Sequence, residues 1–244
     1  MTRYRCYYPF CIKAPTEIGA GIVLNKEESH HLLSVLRVKC GELVSVFDGQ
    51  GGEWMCTYDS AQHGLALLKI EKYNKTQKPK RQITLIQAMP KGKVMDQIIR
   101  QATEIGISRI IPLKTERTEL KLDEVRSRRR VERWKQVTIE ASKQANNSFL
   151  PIISPISSIK DALVGMDDSL KLVASLQPGA QSVSTYMDKA LGGNIICCVG
   201  PEGDFSAAEY QLLDDAQFLP LRLTKNILRS ETAALYTLSL LDVL

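Results

Sequence analysis

Two short segments carry the residue types that could bind a ligand or move charge. The first, "GPEGDFSAAE" at residues 200–209, follows the apolar run "NIICCV" and contains two glycines. The second, "ILRSETA" at residues 227–233, places Arg229 and Glu231 directly before an apolar helical pattern. Glycines let a ligand approach the backbone, and a guanidinium with a carboxylate can stabilise charge or accept a proton. Each segment taken alone also fits a plain connection before a helix, so both interpretations stay open here.

The glycine spacing excludes two common phosphate-binding loops. The first segment matches neither G-x-G-x-x-G nor G-x-x-x-x-G-K-[ST], so neither a dinucleotide loop nor a triphosphate loop is supported. Glu202 and Asp204 also disfavour a phosphate group at this position. A ligand can still bind here, because loops at the carboxyl ends of parallel strands are the usual ligand sites of open α/β sheets.

The end of the first segment predicts the start of a helix. Ser206 with Glu209 three positions later forms a capping-box pattern, and Phe205 with Tyr210 forms a hydrophobic-staple pattern. A buried strand should therefore enter the "GPEGDF" turn, and a helix should leave it.

The cysteines and histidines predict no metal site and no disulfide framework. Six cysteines include no C-x-x-C pair, and the three histidines all precede residue 64. The second half of the chain therefore lacks the commonest general base. The start "MTRYRCYYPF" has no apolar targeting core, and no apolar run reaches the length of a membrane span. A cytoplasmic protein without a membrane segment is expected.

The charge is divided unevenly along the chain. Residues 1–143 carry 26 Lys and Arg against 16 Asp and Glu, whereas residues 144–244 carry 6 against 11. A basic first part favours a polyanionic partner such as a nucleic acid. The segment "VRSRRRVERWK" at residues 125–135 is either a solvated helix face or a phosphate-binding surface, and both interpretations stay open.

The elements that must position these residues divide into two domains. Short alternating strands and glycine turns predict a small β-rich barrel over residues 1–72, and the polar, basic segment 73–82 is the predicted linker. Over residues 83–244, short apolar strands alternate with helical patterns, which is typical of a parallel sheet covered on both faces. The predicted fold class is therefore α/β, with a β domain preceding an α/β domain.

The pair "GPEGDFS" and "ILRSETA" resembles the family of 16S ribosomal RNA uridine-N3 methyltransferases, which belongs to the SPOUT superfamily. Weaker matches are "HHLLSVLRVKCGE", "KGKVMDQIIRQATEIGI" and "EASKQ". The resemblance implies an N-terminal PUA-like RNA-binding barrel and a C-terminal α/β trefoil knot. It further implies a homodimer that uses S-adenosylmethionine and acts on 16S rRNA of the small ribosomal subunit, with no metal.

The resemblance also assigns the cofactor to three loops. They contribute these residues: Leu176, Gln177, Pro178, Val199, Gly200, Pro201, Glu202, Gly203, Leu223, Ile227, Leu228, Arg229, Glu231, Thr232 and Ala233. Backbone groups and small residues in such loops suit an adenosine better than a phosphate.

For the chemistry, we expect Arg229 to stabilise negative charge that develops on the uracil oxygens. Glu231 is expected to orient Arg229 or to accept the imide proton, with Glu202 as the alternative carboxylate. The first candidates for contacts with RNA are these basic residues: Arg5, Arg37, Lys91, Lys93 and Arg117.

Two alternatives remain at this point. One is a SPOUT enzyme that methylates another base or a ribose 2′-oxygen. The other is a ribosome-associated RNA-binding protein without catalysis, because the chain departs from the family's pattern. The departures are Gln101, Lys143, Asn147, Thr224 and Asn226.

Overall fold

A computed structural model describes residues 4–9, 14–118, 123–166, 169–190 and 193–242. The chain forms two compact units. Unit 1 comprises Met1–Lys78 and Ser142–Leu150, and unit 2 comprises Pro79–Ala141 and Pro151–Leu244. The first boundary therefore falls within the predicted linker 73–82, whereas the return of residues 142–150 to unit 1 had no counterpart in the sequence patterns.

Unit 1 is built on a five-stranded sheet with the order β1-β3-β4-β5-β2, in which only the β1–β3 pair is parallel. Its elements are β1 (Tyr4–Tyr7), β2 (Gly21–Val23), α1 (Lys26–His30), β3 (Leu43–Phe47), β4 (Gly52–Gln62) and β5 (Leu65–Lys75). Alternate residues of β4 and β5 point to the core, which contains Cys56, Leu68 and Ile70. Strand β5 extends into the first residues of the predicted linker.

Arg5 holds the returning segment of unit 1 in place. Its side chain is 8% exposed and forms an ion pair with Glu53 at 3.0 Å. The same guanidinium donates hydrogen bonds to Asn146 Oδ1 at 2.8 Å and to Ser148 Oγ at 3.0 Å, and it lies 4.6 Å from the Phe47 ring centroid. The prediction that Arg5 contacts RNA is therefore wrong, because burial and internal partners occupy its guanidinium.

A second buried charge joins the same segment to α1. Lys143 Nζ lies 2.5 Å from Glu28 Oε1, and the two side chains are 10% and 6% exposed. Lys143 was one of the departures from the family's pattern. In the structure, Lys143 forms a buried ion pair within unit 1.

Unit 2 contains a parallel sheet with the order β12-β10-β11-β6-β7-β8, and β9 pairs with β7 beyond the end of β8. Its strands are β6 (Ile83–Ala88), β7 (Arg109–Lys114), β8 (Ile152–Ile153), β9 (Ser157–Ser158), β10 (Leu170–Ala174), β11 (Ile195–Val199) and β12 (Leu219–Leu221). Its helices are α2 (Val94–Ile105), α3 (Glu124–Ala145), α4 (Ile159–Ala162), α5 (Met187–Ala190), α6 (Ala207–Asp215) and α7 (Ser230–Asp242). The last residues of α3 belong to unit 1.

Both faces of the parallel sheet are covered, as the apolar strands predicted. All five residues of β11 are buried. Cys197 belongs to the core cluster that contains α2 and α7 residues, and its neighbour Cys198 belongs to the cluster that contains α6 residues. Burial raises the pKa of the Cys197 thiol to about 12, so this sulfur serves packing rather than chemistry.

Helix α7 returns the chain from the sheet edge to its middle. Strand β12 lies at the edge beside β10, but α7 packs against α2, β6 and β11. Its buried face includes Ala234, Leu238 and Leu241, as the helical spacing predicted. The connection before α7 therefore crosses the carboxyl ends of the neighbouring strands. The predicted trefoil knot stays a prediction.

We predict that Lys143→Met lowers the free energy of unfolding by about 3–5 kcal/mol, because it leaves the Glu28 carboxylate buried without its cation. The matched control is Lys135→Met on the same helix. Lys135 pairs with Glu132 at 2.8 Å, but the two side chains are 50% and 70% exposed. The control should lose less than about 1 kcal/mol.

Urea unfolding measures both changes. The double variant Glu28→Met/Lys143→Met should recover most of the loss. Equal, small effects of Lys143→Met and Lys135→Met would contradict a buried ion pair.

Candidate functional site

Three loops meet at the carboxyl edge of the parallel sheet. They follow β10, β11 and β12, which are neighbours in the order β12-β10-β11. Between them lies a cavity of about 300 Å³. Its size falls at the lower end of the range for small-molecule sites, roughly 300–1,000 Å³.

Most residues that the sequence assigned to a cofactor line this cavity. They are Leu176, Val199, Gly200, Pro201, Glu202, Leu223, Ile227, Leu228, Arg229 and Ala233. Five further predicted residues belong to the same loops or to the start of α7 but do not line it: Gln177, Pro178, Gly203, Glu231 and Thr232. The assignment to this cofactor site stays a prediction for both groups.

Six lining residues were missing from the predicted set: Ala174, Ser175, Asp204, Thr224, Asn226 and Ser230. Thr224 Oγ1 accepts a hydrogen bond from the Asn226 N–H at 3.0 Å and donates one to the Asn226 carbonyl at 2.8 Å. These two departures from the family's pattern thus shape the loop before α7. Both lie between Leu223 and Ile227, which the resemblance assigned to the cofactor, and that position was the available signal.

The "GPEGDF" turn is fixed by the predicted helix start. The Ser206 hydroxyl accepts from the Glu209 N–H, and the Glu209 carboxylate accepts from the Ser206 N–H at 2.9 Å, so the capping box is confirmed. The same carboxylate accepts from the Glu116 N–H at 2.8 Å. Glu209 therefore ties α6 to the turn that follows β7.

Asp204 connects two of the three loops. It adopts a left-handed backbone conformation with φ 63°, and its Oδ1 accepts from the Tyr210 hydroxyl at 2.9 Å. Tyr210 Oη also lies 3.3 Å from Ser175 Oγ, in the loop after β10. Burial is the main reason that the pKa of Tyr210 is raised to about 12. Tyr210 thus stays protonated and can donate to Asp204.

Tyr210 also packs edge-on against Phe205, with 5.6 Å between the ring centroids. This contact confirms the predicted hydrophobic staple.

Ser230 connects the third loop to the sheet. Its buried hydroxyl donates to the Gly200 carbonyl at 2.9 Å and accepts from Gln87 Nε2 at 2.9 Å. Gln87 is fully buried at the end of β6, and the same Nε2 donates to the Ala88 carbonyl at 2.9 Å. The hydrogen bonds from Gln87 to Ser230 and from Ser230 to Gly200 therefore hold the start of α7 on the "GPEG" turn. Ser230 thus bridges separate segments, so the "ILRSETA" segment is more than a plain connection before a helix.

Two predicted RNA-binding residues contact the "GPEG" turn, and a third, Lys93, follows Lys91 by two positions. The Lys91 N–H donates to Glu202 Oε1 at 3.2 Å, and the Arg117 guanidinium donates to the Gly203 carbonyl. Lys93 is exposed at the N-cap of α2. Arg37 is exposed in unit 1 and is not part of this group.

The three predicted catalytic residues have different positions. Arg229 and Glu202 are exposed side chains that line the cavity. Glu231 is half-buried in the first turn of α7 and does not line it. The cavity thus brings one guanidinium together with the carboxylates of Glu202 and Asp204.

Within the described ranges, no group of three or more His, Cys, Asp or Glu side chains could hold a metal ion. The helices of that same part of the chain are each too short or too polar to cross a membrane.

Comparison with protein families gives two matches. The model described as RNA methyltransferase domain matches residues 76–242. The model described as RNA methyltransferase PUA domain matches residues 24–71. The two matched segments correspond to the α/β part and the β part of the chain.

Several known proteins are similar over nearly the whole chain. The ribosomal RNA small subunit methyltransferase E of Synechocystis is 32% identical over 240 residues, covering 96% of this chain and 77% of that protein. Its Bacillus subtilis namesake is 27% identical and covers 96% and 94%. Among solved structures, a Legionella pneumophila methyltransferase in complex with SAM superposes with a TM-score of 0.90 at 27% identity, covering 100% and 98%. A Neisseria gonorrhoeae ribosomal RNA small subunit methyltransferase E bound to S-adenosyl methionine has a TM-score of 0.88 at 29% identity, covering 98% and 97%.

The two glycines of the turn should respond differently to substitution. A Cβ added at Gly200 would lie 3.1 Å from the Phe205 ring, whereas one at Gly203 would lie 3.4 Å from Arg117 Cδ. We predict that Gly200→Ala lowers the free energy of unfolding by about 1–3 kcal/mol through overpacking. Gly203→Ala should change it by less than about 0.5 kcal/mol. Chemical denaturation of both variants checks this, and equal stabilities would show that Gly200 is not constrained by Phe205.

Proposed function

Because this chain belongs to the RNA methyltransferase family that includes the ribosomal RNA small subunit methyltransferases E, we propose that it transfers a methyl group from S-adenosylmethionine to N3 of a uridine in 16S rRNA. The cavity at the carboxyl edge of the sheet supports this proposal, because its lining combines apolar residues with one arginine and two carboxylates. Similar proteins of the same fold hold S-adenosylmethionine.

The residues of the cavity suit this cofactor. Leu176, Leu223 and Ile227 offer apolar surface for an adenine ring, and the carboxylates of Glu202 and Asp204 favour a cationic ligand. A sulfonium centre carries such a positive charge. The acidic side chains that argued against a phosphate thus support the proposed ligand.

When bound, S-adenosylmethionine supplies an activated methyl group. The protein must then align the acceptor nitrogen and remove the imide proton. If the imide pKa lies about two units above neutral pH, deprotonation costs about 3 kcal/mol. One guanidinium and one carboxylate are sufficient to offset a cost of this size.

We assign the charge-stabilising role to Arg229, whose side chain lines the cavity at the start of α7. The positive end of the helix dipole adds to its field. Glu202 lines the cavity and Glu231 does not, so Glu202 is the better candidate for the proton acceptor. Glu231, two residues after Arg229, is left with the orienting role.

The substrate must present an unpaired uridine, because N3 lies on the Watson–Crick edge of the base. Lys91, Lys93 and Arg117 lie beside the "GPEG" turn or at the adjoining start of α2. We propose that they contact the RNA near the target nucleotide. Arg37 is the proposed contact in unit 1, which matches the PUA model in part. Action in the cytoplasm follows from this substrate.

Two structural properties of the family belong to the same proposal. We propose that unit 2 is a trefoil knot and that the chain is a homodimer. The segment between β12 and α7 crosses the carboxyl ends of the neighbouring strands, and this path is compatible with a knot. Sedimentation analysis tests the dimer directly.

We predict that the Ser230 bridge supports cofactor binding. Ser230→Ala and Gln87→Met should each weaken affinity for S-adenosylmethionine about tenfold, because the "GPEG" turn loses its anchor. The double variant should bind S-adenosylmethionine with the same affinity as the single variant that binds it more weakly, since both changes break the same connection. Isothermal titration calorimetry measures all three.

The control is Thr237→Val in α7. Thr237 is fully buried, and its hydroxyl donates to the Ala233 carbonyl of the same helix at 2.7 Å. This variant should keep the wild-type affinity for S-adenosylmethionine. Additive losses from Ser230→Ala and Gln87→Met, or an equal loss in Thr237→Val, would argue against a specific bridge.

The proposed reaction is tested with purified protein, methyl-labelled S-adenosylmethionine and small-subunit rRNA. Nucleoside mass analysis should find N3-methyluridine as the product. Arg229→Ala should lower kcat by about 10²–10³-fold while binding of S-adenosylmethionine persists, because the oxyanion stabilisation is lost.

The same experiment separates the alternatives. A 2′-O-methylated nucleoside or another methylated base would replace the proposed specificity by a different SPOUT reaction. RNA binding without any methyl transfer would favour the non-catalytic alternative. An Arg229→Ala enzyme with the wild-type rate would remove Arg229 from the chemistry.

A further inference from the structure

A second cavity, of about 170 Å³, lies at the carboxyl ends of β6 and β7. Its polar lining is one lysine and four hydroxyl side chains, with the apolar Met89 at one wall. The polar residues are Lys114, Thr118, Ser127, Ser157 and Ser158. Among the lining residues that the structure describes, none is acidic, and this polar lining is chemically suited to an anion with several acceptor oxygens.

The hydrogen bonds around this cavity leave donors available. Ser158 Oγ donates to Asp161 Oδ2 at 2.7 Å, and Thr118 Oγ1 pairs with Thr115 Oγ1 at 2.7 Å. Among the residues that the structure describes, Lys114 and Ser127 have no side-chain partner. The ammonium group and a hydroxyl can therefore serve a ligand without breaking internal bonds.

Helix α3, which carries Ser127, also has an arginine face. We use this name for Arg126, Arg129, Arg130 and Arg133, which follow the i, i+3, i+4, i+7 spacing of one helical face. Arg126 pairs with Asp123 at 3.3 Å, and Arg133 pairs with Asp96.

Arg129 and Arg130 form no ion pair with another described residue. With Lys114 they give three cations that form no ion pair with a carboxylate of the described ranges. Such charges are the ones that remain available to a polyanion.

The second cavity adjoins the candidate functional site through two short connections. Met89 lines the second cavity, and Lys91, two residues later, bonds to Glu202 in the first. Thr118 lines the second cavity, and its neighbour Arg117 bonds to Gly203. Two residues span at most about 7 Å. One nucleic acid strand can therefore contact both cavities with neighbouring nucleotides.

We propose that the second cavity and the arginine face form a docking surface for the phosphodiester backbone of the RNA strand that carries the target nucleotide. A backbone phosphate enters the cavity against Lys114 and Ser127, and the strand continues along Arg129 and Arg130. Arginine guanidinium groups suit phosphate oxygens because they can donate two parallel hydrogen bonds. The inference rests on the proposed function for the identity of the RNA, but RNA binding is measured without methyl transfer.

The test compares two triple variants of the full chain. Lys114→Gln/Arg129→Gln/Arg130→Gln removes three charges, and Lys114→Arg/Arg129→Lys/Arg130→Lys keeps them. The probe is an in vitro transcript of small-subunit rRNA, titrated at several KCl concentrations. The charge-removing variant should bind at least about tenfold more weakly, and the slope of log K against log salt should shrink by about 2, since each phosphate contact contributes about 0.7–0.9. The charge-keeping variant should retain the wild-type slope.

Affinity for S-adenosylmethionine should be unchanged in both variants. When the RNA concentration is varied, the charge-removing variant should show a raised KM for RNA and an unaltered kcat. Wild-type RNA affinity and slope in the charge-removing variant would overturn the proposal. Loss of binding in both variants would overturn it too, because that would indicate a structural role.

A loss seen only with assembled small subunits, and not with the bare transcript, would assign this surface to a ribosomal protein instead. Failure of the methylation assay with intact RNA binding would refute the proposed function and leave the docking surface standing.

Discussion

The arrangement of the candidate site depends on the two hydrogen bonds of the Ser230 hydroxyl. This hydroxyl joins Gln87 at the end of β6, Gly200 at the end of β11 and the first turn of α7, three segments far apart in the chain. Gln87 and Ser230 are buried and Gly200 is half-buried, so loss of a partner of Gln87 or Ser230 would cost the desolvation of a buried polar group. Docking of α7 and the position of the "GPEG" turn are therefore coupled. Residues of both segments line the cavity.

The parallel sheet explains why so much chemistry collects at one edge. Carboxyl ends of neighbouring parallel strands lie side by side, so the loops after β10, β11 and β12 converge without any sequence proximity. The loops after β6 and β7 lie at the same edge and bring Lys91 and Arg117 to the "GPEG" turn. One edge thus combines an acidic, apolar cavity with basic residues around it. A cationic cofactor and an anionic RNA require these opposite environments.

Local patterns in the sequence predicted the local parts of this structure. The capping box of Ser206 and Glu209 depends on residues three positions apart, and the sequence was sufficient to find it. Contacts between distant segments were not predictable. Arg5 was a candidate for RNA contact because it is basic, but its side chain is buried and bonded to Asn146, more than 140 residues away. Glu231 and Glu202 could not be ranked as bases, because only the folded loops show which carboxylate lines the cavity.

We propose that this chain places a methyl group on N3 of a uridine in 16S rRNA. The most direct measurement is nucleoside mass analysis of 16S rRNA from cells that lack the protein, compared with cells that carry it. N3-methyluridine should disappear from 16S rRNA in the absence of the protein and return when the intact gene is restored, but not with Arg229→Ala. An unchanged level of N3-methyluridine in cells lacking the protein would refute the proposed reaction.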